Sequence, residues 1–274
     1  MRFPEIVAAG LVAFVPLAHA GADAVRAEIA GRIAAAHPGV AAAEFALGSA
    51  AFDPARRAAL EANTPAPGAT ELLAEGKRLW TRKFRNGRSL AQCFPNGGRR
   101  IAGAYPQVDT KLRRVVTLEM AVNQCLRTHG EPLLDGADPA LGAILAYVRS
   151  LSDGQKIAVR VTGPVAEDRF ERGRSLYFTR LGQQNYACAS CHVQYAGRFL
   201  GDTALPAAPG SAARWPFVRD GGAVTMQSQL RECLERMGAA PFPAGSEELA
   251  QIEYFLTVLS QGYPIKPNAW RPRP

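Results

Sequence analysis

Cysteine and histidine are scarce in this chain, five and four among 274 residues, and the scarcity itself excludes chemistry. A structural zinc site needs four Cys or His ligands, as a rule in two closely spaced pairs. Only one close pair exists, Cys188 and Cys191. No strand–helix–strand alternation surrounds that pair, which argues against a thioredoxin-like redox centre. Long apolar runs are also missing: beyond Ala20 no stretch is long and apolar enough to cross a bilayer, so no membrane span is expected. A basic tract is missing too. The net charge is +8, but the 32 Lys and Arg residues are spread along the chain with no nucleic-acid motif beside them. Nucleic acid is therefore a poor partner, and an acidic protein or a small anion a better one. The length allows two domains, each with a core of its own.

Residues 1–20 read as a secretory leader, with Arg2, an apolar run from Ile6 to Leu17 and a small-residue end, Ala18-His19-Ala20. The mature chain is then expected in the periplasm, where disulfides persist. Residues 21–69 are an Ala-rich arm and linker. Val25, Ile29 and Ile33 stand at helical spacing, which predicts a helical arm packed on the first domain, and Thr64-Pro65-Ala66-Pro67-Gly68 is the linker. Thr70 is expected to cap the helix that follows.

The one close cysteine pair lies in Cys188-Ala189-Ser190-Cys191-His192. This C-x-x-C-H spacing is that of covalent haem attachment: two thiols add to the two vinyl groups of one porphyrin, and the adjacent imidazole is held under the iron. Cys188 and Cys191 are thus read as the attachment residues for one haem c, and His192 as an axial ligand. Cys93, Cys125 and Cys233 remain, and an odd cysteine in an oxidising compartment needs a reason.

The chain is a duplication, and this sets its architecture. Displacing it so that Cys125-Leu126 falls on Cys233-Leu234 also brings Gly130 onto Gly238, Leu151-Ser152 onto Leu259-Ser260, and Gly154 onto Gly262, without a gap. Both stretches read as helices with matching punctuation, N-caps at Asp138 and Ser246 and closing glycines at Gly154 and Gly262. Upstream, Gly76-Lys77-Arg78-Leu79-Trp80 corresponds to Gly173-Arg174-Ser175-Leu176-Tyr177. A glycine inside both helices predicts close packing against the terminal helix of each half, on Tyr254 and Phe255 in the second. The expectation is a mainly α fold of two tandem cytochrome c-like domains, residues 70–160 and 161–274, behind the helical arm.

In this alignment Leu90 and Phe94 stand where Cys188 and His192 do, so the first domain has lost its cofactor. Cys93 and Cys125 then flank no haem, and a disulfide between them is expected. The same symmetry places Cys233 across the occupied pocket from His192, on the distal side of the iron. Met226 and Met237 are alternative ligands; the unpaired thiol favours Cys233. Around it Gln229, Arg231 and Arg236 share a helical segment. Arg236 reads as part of a solvated face, and Arg231 as a functional guanidinium able to hold an oxyanion.

These residues carry a resemblance that runs from about Glu71 to Arg273. It includes Asn86-Gly87-Arg88-Ser89, Val116-Thr117-Leu118-Glu119-Met120, Tyr147 to Gly154, Asn185-Tyr186-Ala187, Pro241-Phe242 and Pro264-Ile265. The chain resembles the SoxA family, catalytic subunits of the SoxAX cytochromes of bacterial sulfur oxidation, in the single-haem form. The resemblance implies haem on the second domain, ligation by His192 and Cys233, and a persulfide on that cysteine. It also implies a reaction: thiosulfate is joined oxidatively to a cysteine of a SoxYZ-like carrier, and electrons pass to the haem of a SoxX-like partner. Cys233 would take up and hand on the sulfane sulfur, and Arg231 would help hold the anion. One departure stands out. The family usually has an arginine four residues before the cysteine, and here that residue is Gln229. An electron-transfer cytochrome, or an assembly subunit without activity, are the competing readings.

Overall fold

In the computed structural model, described for residues 21–62 and 66–266, helices dominate. The expected leader lies outside the described residues, as do Thr64 and Pro65 of the linker. Helix α1 (Ala22–Ala36) buries Val25, Ile29 and Ile33, the face read from their spacing. A 3-10 stretch, Ala42–Ala51, leads to α2 (Pro54–Glu61), whose N-cap Asp53 accepts hydrogen bonds from the N–H groups of Ala55 and Arg56.

This arm does not pack on the first domain as its position in the chain implied; it lies on the second. His37 Nε2 is 2.7 Å from the carbonyl oxygen of Ala196, Arg56 donates to Thr203 Oγ1 at 3.0 Å, and Tyr263 donates to the carbonyl of Ala42 at 2.6 Å. Two glycines of the second half make room. A Cβ on Gly197 would run into the His37 ring, and one on Gly210 into the backbone of Ala46. Apolar spacing on α1 reveals that a face is buried, but not which body covers it.

The first repeat opens with α3 (Ala69–Thr81). Its N-cap is Gly68, at φ 78°, and Thr70 lies inside the first turn instead of capping it. A hairpin follows, β1 (Gln107–Asp109) and β2 (Arg114–Val116), with Gln107 opposite Val116. Then come α4 (Leu118–Thr128) and α5 (Pro139–Ser150). The second repeat opens with α6 (Pro164–Phe178) and inserts a short ribbon, β3 (Phe199–Leu200) with β4 (Thr203–Ala204). Its own hairpin is β5 (Phe217–Arg219) and β6 (Gly222–Val224), followed by α7 (Met226–Arg236) and α8 (Glu247–Leu259). The caps repeat as well: Thr117 and Thr225 accept from the N–H groups of Met120 and Ser228, and Asp138 and Ser246 cap α5 and α8 as expected.

In each half the first helix crosses the last at a glycine. A Cβ on Gly76 would overlap the Ala143 carbonyl and the Tyr147 side chain; one on Gly173 would overlap the Gln251 carbonyl and press on Phe255. These contacts are backbone against backbone, so only glycine lets the axes approach this far. Gly154 and Gly262 serve a purpose the repeat did not reveal. The helices end at Leu151 and Ser260, and the glycines, at φ 73° and 86°, turn the chain so that the two halves pair with each other. Gly154 donates to the carbonyl of Ile265 at 2.8 Å and Gly262 to that of Ile157 at 2.9 Å; Ile265 and Ile157 donate back to Gln155 and Tyr263. The duplication is thus tied across its own symmetry axis.

Candidate haem centre

Local backbone chemistry shapes the Cys188–His192 stretch. Ser190 Oγ accepts from the Ala187 N–H at 3.1 Å, and Ser190 to Gln194 form one wide π-helical turn closed by the Tyr195 N–H on the Ser190 carbonyl at 3.0 Å. Such turns are uncommon and gather at functional sites. Ala189 and Val193 are buried and anchor the turn, which leaves Cys188, Cys191 and His192 half-buried on its other side.

His192 is oriented by the chain beneath it. Its Nδ1 lies 2.9 Å from the carbonyl oxygen of Pro206, and the Ala208 N–H binds the His192 carbonyl at 2.9 Å. A carbonyl can only accept, so Nδ1 carries the proton and Nε2 keeps its lone pair. Burial pushes the His192 pKa down, against the pull of the Pro206 carbonyl, which favours the neutral, ligating ring.

Cys233 projects from α7 into the same space. Burial raises its thiol pKa, and the Gln229 hydrogen bond and the Arg236 guanidinium oppose that rise. Cys188 is pushed up to about 12, first by burial and then by Cys233. The buried Tyr177 hydroxyl is raised first by burial and then by Cys188, Cys233 and Cys191, so all three sulfurs lie within electrostatic reach of it. Phe255 packs behind Tyr177, 5.3 Å from it and 5.4 Å from Phe170 between ring centroids. Two vinyl-reactive thiols, an imidazole with Nε2 left free, and a third sulfur coupled to both thiols by charge are thus gathered in this half. That donor set fits a haem c.

The polar residues around Cys233 take different positions. Gln229 Nε2 lies 3.5 Å from Cys233 Sγ, the one hydrogen-bond donor to it among the described residues. Arg236 lies on the solvated face as read, exposed and paired with Glu232 at 3.5 Å, and its charge opposes the rise of the Cys233 pKa. Arg231 makes no such contact, and its buried Nε has no partner among the described residues. Met226 lines a small cavity between the halves with Leu118, Glu119 and Trp215, and Met237 is the C-cap of α7.

In the first half the equivalent space is filled by side chains. Leu90 and Phe94 are buried, Phe94 stacks 5.0 Å from Trp80, and Trp80 Nε1 donates to the Gly97 carbonyl at 2.9 Å. Cys93 and Cys125 form the expected disulfide, with their Cα atoms 6.1 Å apart. Sequence reasoning missed Pro206, a carbonyl no motif marks, and Tyr177 as the residue among the sulfurs.

The family model described as "SoxA/TsdA, cytochrome c domain" matches residues 75–157 and 172–265, one segment in each half. The chain belongs to the SoxA/TsdA cytochrome c family. It is 36% identical to the L-cysteine S-thiosulfotransferase subunit SoxA of Chlorobaculum thiosulfatiphilum, over 82% of this chain and 79% of that one. It is 34% identical to the same subunit of Allochromatium vinosum, over 82% and 81%. The crystal structure of SoxXA from P. pantotrophus superposes with a TM-score of 0.65 at 25% identity, over 72% of this chain and 76% of that chain. The mainly helical, tandem fold is that of the family. A cytochrome c domain is built to carry haem c, and among the described residues no helix is long and apolar enough to cross a membrane.

Proposed function

We propose that this chain is an exported cytochrome subunit that joins thiosulfate, or a related sulfur anion, oxidatively to a cysteine of a carrier protein. This is the L-cysteine S-thiosulfotransferase activity named for its relatives. The observation that carries the reading is the contrast between the halves. Cys93 and Cys125 are locked together, whereas Cys188, Cys191 and Cys233 stay unbonded around Tyr177 with His192 oriented beside them.

On this reading Cys188 and Cys191 would hold a single haem c, and His192 Nε2 and the Cys233 sulfur would be the groups offered to its iron. When bound, the haem would provide a one-electron relay toward a SoxX-like monohaem partner, the subunit that accompanies SoxA in the SoxXA relative. The overall step balances simply. The S–H bond of a SoxYZ-like carrier thiol breaks, an S–S bond to the sulfane sulfur of thiosulfate forms, and one proton and two electrons leave. As a thiolate, Cys233 would bond the sulfane sulfur of thiosulfate with its sulfonate still attached as the two electrons leave, and attack by the carrier thiolate on that sulfur would then return the Cys233 thiolate. Gln229 donates its amide hydrogen bond at that sulfur, Arg236 supplies positive charge, and Arg231 stands on the flank for the anion.

Replacing Cys233 by Ala tests the reading. With haem retained, thiosulfate-dependent conjugation to a thiol is lost; an electron-transfer cytochrome would keep exchanging electrons and lose no such reaction. Gln229 favours a second reading, a divergent substrate, because an amide brings no charge to a sulfonate. Gln229→Arg separates the two: it strengthens thiosulfate binding if thiosulfate is the substrate, and leaves it weak if another sulfur compound is.

A further inference from the structure

Arg214 is 4% exposed, and its Nε and Nη2 have no hydrogen-bond partner among the described residues. Burial lowers its pKa to about 10, and no carboxylate among the described residues offsets it. A buried guanidinium without an anion is strongly unfavourable, so the fold should contain one where this side chain ends. Arg214 closes a 3-10 turn, Ser211–Arg214, and Ser211 Oγ is also buried without a partner among the described residues. Side chains three apart in a 3-10 turn eclipse one another, which puts hydroxyl and guanidinium on one side.

The turn is fixed to the haem centre. Ser211 donates to the carbonyl of Ala208, and Ala208 donates to that of His192, at 3.2 and 2.9 Å. The other half supplies an internal control. There the turn Ala102–Ala104 is seated the same way, with the Ala102 N–H on Ser152 Oγ at 3.2 Å where the Ala212 N–H binds Ser260 Oγ at 3.1 Å. In that register Ile101 stands for Ser211 and Ala104 for Arg214. The half that lacks the counterparts of Cys188 and His192 therefore also lacks both polar groups and has apolar ones instead.

We infer that Arg214, with Ser211, forms the cradle for a propionate of the haem. The inference rests on the haem reading above. A haem brings carboxylates of its own into this half, and the two orphaned groups, a fork of N–H donors and a hydroxyl, are matched to one. Arg214 acts here as a positioning residue and takes no part in sulfur transfer.

The test uses haem-loaded protein whose single covalent haem has been verified by intact mass; wild-type protein without haem would overturn the haem reading and not this one alone. Arg214→Gln keeps length and removes charge. If Arg214 binds propionate, R214Q melts at a lower temperature than the wild type, because a buried carboxylate loses its partner. The propionate bending band in the resonance Raman spectrum shifts as well, Arg214→Lys restores it in part, and Ser211→Ala shifts it less. If the guanidinium is an unpaired charge, R214Q melts at the same or a higher temperature and the band does not move, which overturns the proposal. Should R214Q fail to retain haem, R214K decides alone: an unmoved propionate band contradicts the cradle, and a shifted one supports it.

Discussion

Cys93 is bonded to Cys125 across the place that Cys191 and Cys233 flank in the other half. One ancestral pocket has thus been closed with a covalent staple and packed with Leu90, Phe94 and Trp80, while its twin keeps its sulfurs apart.

The staple joins residues 32 apart in sequence, so its loss should cost about 3–4 kcal/mol in the chain-entropy account. Denaturant unfolding of the Cys93→Ala, Cys125→Ala double variant should show that loss, with the absorption of the haem half unchanged. Unfolding at the wild-type midpoint would mean that the packed side chains hold this half without it.

Gly173→Ala pits two effects against each other. Alanine is the better helix former by about 1 kcal/mol. Its Cβ, however, would meet the Gln251 carbonyl, which is backbone and cannot swing aside. Overpacking of this kind costs about 1–3 kcal/mol, so the clash should win and α6 should lift from α8. Thermal melting checks the sign: a stabilised variant would show that the helices separate freely.

Glu119 and Glu253 meet in the cavity between the halves, facing Arg149, Gln227 and Thr225. Burial raises both carboxyls, and the neighbouring Glu253 raises Glu119 further; the Gln227 hydrogen bond and Arg149 oppose the rise at Glu253. A carboxyl raised in the folded state stabilises it fully below the ordinary value of 4.5, and that contribution is lost as pH climbs through the native value. Stability should therefore fall between about pH 5 and 8, and Glu119→Gln should flatten the slope. A variant profile as steep as the wild type would place the titration elsewhere.

Much of this was legible in the sequence because it depends on local chemistry. C-x-x-C-H spacing, the N-caps Asp138 and Ser246, and the glycines of α3 and α6 each announce themselves within a few residues. The repeat added the long-range fact that Cys93 and Cys125 would meet. What stayed hidden depends on which surfaces touch. The arm's apolar face gave no sign that Gly197 and Gly210 receive it. The Pro206 carbonyl that orients His192 belongs to the backbone, which carries no sequence signal. Gln229, Arg231 and Arg236 were legible as one helical segment around Cys233, yet only packing showed that Gln229 reaches the sulfur and Arg231 does not.

Electron paramagnetic resonance of the oxidised, haem-loaded protein tests most directly whether His192 and Cys233 share one iron. The account predicts a low-spin, thiolate-type signal that disappears in Cys233→Ala while intact mass still shows one covalent haem. A signal that Cys233→Ala leaves untouched, or one that moves with Met237→Leu instead, would contradict it.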